Sequence, residues 1–190
     1  MMQGYDAIVF LDIDGVCTTR ASRYRAVWGG RIETDPQKAK LAAAATLVPE
    51  LVARVHRVCA ETGAAVVLVS GWRRRMSCDE VFDALRAAGL AAPTLGGLVD
   101  AVPETDTRCV SARAWLREHP EVTRWVILDD TLAHWTDPTV DPMSGHETAS
   151  PTPLEAAPWC RGHLVVPVDG ILDADADAAV RILGPSTRAQ

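Results

Sequence analysis

Apolar residues in this chain gather into short unbroken runs, separated by stretches in which they recur every three or four positions. The first run, residues 7–11 (Ala-Ile-Val-Phe-Leu), is β-branched and free of polar positions. That pattern predicts a strand buried on both faces of a parallel sheet. Residues 64–69 and 125–128 repeat it, and residues 164–168 form a fourth run. Between the runs the spacing is helical. Leu47, Leu51, Val55 and Val58 predict helix across residues 37–62. Asp35-Pro36 supplies a cap and a first-turn proline, Pro49 divides the region in two, and Gly63 closes it. Residues 79–88 read as a helix closed by Gly89, and residues 111–119 as one stopped by Pro120. Residues 173–183 read as a terminal helix. Its Asp173, Asp175 and Asp177 lie near the N-terminus, where the macrodipole favours acids. They lack the glycine and closing glutamate of a calcium loop.

Alternating strand and helix signals predict an α/β domain, a Rossmann-like three-layer sandwich around a mostly parallel sheet. Residues 17–35, with Arg20, Arg23, Arg25 and Arg31, read as a polar loop, and residues 90–107, rich in Gly and Pro, as another. Residues 131–162 hold five prolines. This segment is longer than most structureless loops in compact domains, and reads equally as a flap over a site or a disordered excursion.

With 190 residues, the chain is expected to form one domain spanning 1–190. No apolar stretch approaches the ~18 residues of a membrane span, and no basic leader precedes the first strand, so a membrane partner and a signal peptide are not expected. The five cysteines, Cys17, Cys59, Cys78, Cys109 and Cys160, are scattered without metal-ligand spacing. They suggest reduced thiols and a cytoplasmic location. A net charge of −6 argues against indiscriminate nucleic-acid binding, although only two of the 19 basic residues are lysines.

The candidate chemistry stands at the strand ends. Asp12 and Asp14 follow the first run, Ser70 the second, and Asp129 and Asp130 the third. In a parallel sheet these ends converge on one edge, where ligands bind. Close carboxylates repel unless a cation or proton relieves them. Four carboxylates and a hydroxyl make an oxygen-rich site suited to Mg²⁺ and a phosphate.

Phe10-Leu11-Asp12-Ile13-Asp14-Gly15-Val16, Val67-Leu68-Val69-Ser70 and Val126-Ile127-Leu128-Asp129-Asp130 resemble, in order, the first, second and fourth motifs of the haloacid dehalogenase-like (HAD) hydrolases. The third motif is a lone basic residue, here Arg108, with Arg113 as the alternative. Ser70-Gly71-Trp72-Arg73, Arg108 with Ala114-Trp115-Leu116, and Asp169-Gly170-Ile171-Leu172 most resemble the HAD domain of bacterial RNA-repair and polynucleotide kinase-phosphatase proteins. Cys17-Thr18 and residues 131–162 depart from that group.

The resemblance implies a phosphatase. Asp12 would be the nucleophile, forming an aspartyl-phosphate, and Asp14 the acid and base. Asp14 also argues against dehalogenation, since halide leaves without a proton. Mg²⁺ would be held by Asp12, the backbone carbonyl of Asp14, Asp129 and Asp130. Ser70, Arg73 and Arg108 would bind phosphate oxygens. The intervals around Ser70 look too short for a substantial cap domain, which favours a phosphate on a large leaving group: a nucleic-acid end or a nucleotide. A small metabolite or phosphoprotein is the alternative substrate, and a catalytically silent phosphate-binding module the alternative of another class. Trp28, Trp72, Trp135 and Trp159 could stack on a base, but each reads more simply as packing. His134, His146 and His163 read as surface or structural residues. Cys17 lacks a histidine partner and reads as inert. The sequence carries no indication of oligomeric state.

Overall fold

The computed structural model describes residues 4–27, 36–98, 108–135 and 156–185. Five strands, β1 (Ala7–Leu11), β2 (Ala65–Leu68), β3 (Thr94–Gly97), β4 (Arg124–Leu128) and β5 (Leu164–Val165), form one sheet in the order β3-β2-β1-β4-β5. Every pairing is parallel. The helices are α1 (Arg20–Val27), α2 (Pro36–Ala44), α3 (Pro49–Thr62), α4 (Cys78–Ala87), α5 (Arg108–Glu118) and α6 (Asp173–Leu183). Single helical turns span Gly71–Arg74, Leu132–Trp135 and Arg161–His163. This is the expected Rossmann-like α/β sandwich.

Strand alternation sorts the core into two sides. Ala7, Val9 and Leu11 of β1 join Val66, Leu68, Val126 and Leu128 against α3, α4 and α6. Ile8 and Phe10 join Val67, Ile127 and the α5 residues Cys109 and Ala112 on the other side. The central strand β1 is buried throughout, which is why its sequence shows no polar alternation.

Three elements depart from the sequence expectation. Helix α1 lies within the predicted loop 17–35. It starts on a reciprocal pair in which Thr19 Oγ1 accepts from the Ser22 amide and Ser22 Oγ from the Thr19 amide, at 3.0 and 2.9 Å. Strand β3 lies within the predicted loop 90–107; its Thr-Leu-Gly-Gly sequence has weak strand propensity and pairs only with β2. Gly97 is needed there, because a Cβ would fall 2.8 Å from Arg73 Cδ and Cys78 Sγ. The run 164–168 yields only two strand residues.

Both ends of the predicted flap are built into the core, through buried Trp135, Ala156, Ala157 and Cys160; residues 136–155, and with them His146, lie outside the described residues. So do Trp28, Arg31 and Asp35. Among the described residues, the interval from β1 to α3 holds only α1 and α2, and that from β2 to α5 only a helical turn, α4 and β3. No helix among them is long and apolar enough to cross a membrane. All five cysteines are free thiols.

Candidate active site

The order β3-β2-β1-β4-β5 reverses direction between β1 and β4, so the crevice for a ligand opens beyond the ends of those two strands. Asp12 and Asp129 are the first residues past them. Backbone bonds continue beyond the strands and fix the spot: the Asp12 amide donates to Leu128 O at 2.9 Å, and the Val69 amide to Leu11 O at 2.9 Å. Asp12, Ser70 and Asp129 are all buried.

Arg108, the first residue of α5, reaches under the sheet edge and is itself buried. Its Nη1 donates to Asp12 Oδ2 at 2.9 Å and to Asp129 Oδ2 at 2.6 Å. Arg113 lies exposed one turn along the same helix. The structure therefore brings Arg108, and not Arg113, to the carboxylates.

The two buried acids are held differently. Asp12 Oδ1 accepts from the Ile13 amide at 2.8 Å, and the Ser70 hydroxyl also bonds the carboxylate. Burial pushes the Asp12 carboxyl up to about 6, against the pull of Arg108 and with the push of Asp129. Asp129 is buried too, which raises its carboxyl. Bonds from His134 and the charge of Arg108 outweigh this and hold it below the usual carboxylate range. Asp129 Oδ1 accepts from the Thr131 amide at 2.9 Å, and Oδ2 from Trp135 Nε1 at 2.8 Å. His134 Nδ1 lies 3.2 Å from Oδ1.

Asp14 stands at the mouth of the site, its side chain 44% exposed. Oδ2 accepts from Trp72 Nε1 at 3.1 Å and Oδ1 from Thr18 Oγ1 at 3.4 Å, with Arg23 Nη1 at 3.7 Å. Immediately after Asp14 the chain turns at Gly15, whose φ is +76°. A Cβ there would lie 2.0 Å from Asp130 Oδ2, so Asp130 packs directly on the turn. Asp130 also accepts from Thr131 Oγ1 at 3.0 Å. Gly170 and Ile171 brace the turn from outside, their amides donating to Gly15 O and Val16 O.

Ser70 Oγ also accepts from the Trp72 amide at 3.4 Å, capping the turn Gly71–Arg74. Arg73 Nε donates to Ser70 O at 3.0 Å, and the Arg73 shank crosses Gly97 toward the β3 edge.

Donor atoms of Asp12, Asp129 and His134 lie within 4.8 Å of one another. Of the four acids expected to hold a cation, Asp12 and Asp129 are in this cluster. The side chains of Asp14 and Asp130 stand outside it, turned to Trp72 and to the Gly15 loop. His134 is the residue that sequence reasoning missed. Its one signal is position, five residues past Asp129 on the turn Leu132–Trp135. Two buried carboxylates facing one shared guanidinium leave a surplus negative charge in a dry, oxygen-lined site. That fits a divalent cation with hard-oxygen preference.

The sequence profile of the HAD domain in Swiss Army Knife RNA repair proteins matches residues 8–146. The chain belongs to this family. The match runs from β1 through β4 and takes in Asp12, Asp14, Ser70, Arg108, Asp129 and His134. Membership among HAD domains points to a hydrolase of phosphatase type at the level of the family. The same match bears out the resemblance read from its motifs. No curated protein and no solved structure matches the chain significantly.

Proposed function

We propose that this HAD domain is a Mg²⁺-dependent phosphatase that works through an aspartyl-phosphate on Asp12 and removes a terminal phosphate from a nucleic acid or nucleotide. The observation that carries the reading is the Asp12–Arg108–Asp129 arrangement at the strand crossover, with Asp14 at its mouth.

Asp12 is ionised at neutral pH because its carboxyl, though raised, titrates near 6. It attacks phosphorus while Asp14 gives its proton to the leaving oxygen and the ester P–O bond breaks. A water molecule then attacks the acyl phosphate, Asp14 takes the water's proton, phosphate leaves and both acids are restored. Asp14 suits this exchange because it is the acid in contact with solvent. Arg108 and Ser70 are placed to hold the oxygens of the transferring group, where positive charge and donors favour the transition state. Arg73, whose Nε donates to Ser70 O at 3.0 Å, is assigned as a further phosphate contact. Asp12 and Asp129 would hold Mg²⁺, with the backbone carbonyl of Asp14 and with Asp130 in support; the ion supplies charge neutralisation between carboxylate and phosphate. The RNA-repair affiliation of the family and the small size of the elements around the site favour a nucleic-acid end over a small metabolite.

The test is a phosphate-release screen with Mg²⁺ across nucleotides, 3′- and 5′-phosphorylated oligonucleotides and sugar phosphates, with Asp12→Asn as control. Release from nucleic-acid ends or nucleotides, absent in the folded variant, is expected. Near-normal release by Asp12→Asn overturns the covalent route, and exclusive action on sugar phosphates overturns the substrate class.

A further inference from the structure

Beside Asp14 the surface opens into a cleft of about 290 Å³. Its walls include Ala43 of α2 together with Trp72, Arg74, Arg75 and Met76 from the turn after Ser70. Asp14 is the proposed proton donor to the leaving oxygen, so whatever fills a cleft on its side belongs to the leaving group. At the roughly 30 Å³ share of a liquid water, the volume holds about ten waters. That is room for a planar ring with a sugar, and too little for a folded partner.

Three facts describe what the cleft would bind. Trp72 is half-buried with its Nε1 edge tied to Asp14 Oδ2, which fixes the plane of the indole. Arg74 and Arg75 are exposed and have no ion-pair partner among the described residues. Arg54, Arg57, Arg86 and Arg124, by contrast, each engage a carboxylate. Ala43, a small residue of α2, also lines the cleft. An indole beside two uncompensated guanidiniums, in a protein of net charge −6, matches a base flanked by phosphates.

We infer that this cleft is the subsite for the terminal nucleoside of an RNA strand. The base lies on Trp72 and the adjoining phosphodiester on Arg74 and Arg75, so a terminal phosphate on an oligoribonucleotide is preferred to one on a free nucleotide. Trp72 is also a positioning residue: its bond to Asp14 links occupancy of the cleft to the orientation of the acid. The inference rests on the phosphatase reading of Asp12 and Asp14.

Two measurements separate it from that reading. In the first, a fluorescent six-nucleotide RNA with a terminal phosphate is titrated into Asp12→Asn protein across a salt series. Adding Arg74→Ala and Arg75→Ala should lower the slope of log affinity against log salt by about 0.7, the value for one phosphate contact on a single strand. In the second, wild type and Trp72→Phe act on the same RNA and on p-nitrophenyl phosphate. Phenylalanine keeps a ring but loses the Nε1 donor. Turnover of RNA should fall about tenfold more than that of p-nitrophenyl phosphate, whose leaving group departs without a proton; a merely structural role would lower both alike. The Arg74→Ala, Arg75→Ala pair should likewise lose more kcat/KM on RNA than on p-nitrophenyl phosphate. Hydrolysis of p-nitrophenyl phosphate with no change in the RNA salt slope, or a preference for a phosphopeptide over RNA, overturns the subsite and leaves the phosphatase standing. RNA binding with the expected slope but no turnover of either substrate overturns the phosphatase reading, and with it the role of Trp72.

Discussion

Replacing Asp12 with asparagine removes a charge from the driest part of the site and leaves its shape nearly unchanged. Burial moves the Asp12 carboxyl from 3.8 to about 6. At 1.36 kcal/mol per unit, an ionised Asp12 costs the folded state up to about 3 kcal/mol. The direction follows from proton binding: the folded state holds this proton more tightly than the unfolded chain. Stability from this group is therefore complete below about pH 4, falls as pH rises through 6, and stays lost above it. Asparagine does not titrate. Arg108 keeps Asp129 at 2.6 Å in the variant, and the amide oxygen can still accept from it. Asp12→Asn should thus be about 1–3 kcal/mol more stable than wild type at pH 7.5, with the gap closing toward pH 4. The measurement is urea denaturation followed by circular dichroism in chelator, at intervals from pH 4 to 8. Added Mg²⁺ should narrow the gap at pH 7.5, because binding to the folded wild type stabilises it. A variant less stable than wild type at pH 7.5, or a gap that ignores pH, would refute the claim that Asp12 is held as a costly buried anion.

Activity should require Mg²⁺ and return after chelation when the ion is restored. Asp129→Asn should raise the Mg²⁺ concentration for half-maximal phosphate release about tenfold or more, and an unaltered requirement would remove Asp129 from the cation site. Gly15→Ala should lower stability by at least about 1–2 kcal/mol from its left-handed backbone alone, before the displacement of Asp130; an unchanged Tm would contradict this. Trp135→Phe takes a donor from buried Asp129 and should cost about 1–3 kcal/mol, read as a lower urea midpoint, whereas a surface tryptophan would show no loss.

The strands most legible in the sequence are the most deeply buried: β1 and β2 throughout, and β4 from Val126 to Leu128. There they are covered on both faces, so their apolar runs announce them, and the acids and the serine at their ends follow. Helix α6 was legible from its spacing and its acidic first turn, where the Leu172 amide donates to Asp175 Oδ2 at 2.9 Å. Helix α1 was hidden because its box pairs Thr19 with Ser22, without the glutamate that usually marks one. Strand β3 was hidden because half of it is glycine: it exists by pairing with β2 and by making room for Arg73. Arg108 was visible only through resemblance, since nothing local in Thr107-Arg108-Cys109 predicts contact with a residue 96 positions away. His134 and Trp135 carried no signal beyond their closeness in sequence to Asp129. Their roles come from a single helical turn that returns both rings to Asp129.

That turn also separates the roles of the two buried acids. A carboxylate offers about four acceptor positions. On Asp129 the Thr131 amide, Trp135 Nε1 and Arg108 Nη1 take three of them; the fourth is held by His134 Nδ1 when it carries the proton, and is the one Mg²⁺ would take in its place. An anion so fully engaged is fixed in place and poor at attacking anything. Asp12 receives the Ile13 amide, Arg108 and the Ser70 hydroxyl, which leaves one position open. Its higher pKa points the same way, since a more basic carboxylate makes the stronger nucleophile. The donors gathered on Asp129 therefore make it an anchor, and their scarcity on Asp12 makes it the group able to bond phosphorus. Moving one donor from the first acid to the second, as a repacked Leu132–Trp135 turn would do, should weaken catalysis without any change to Asp12 itself.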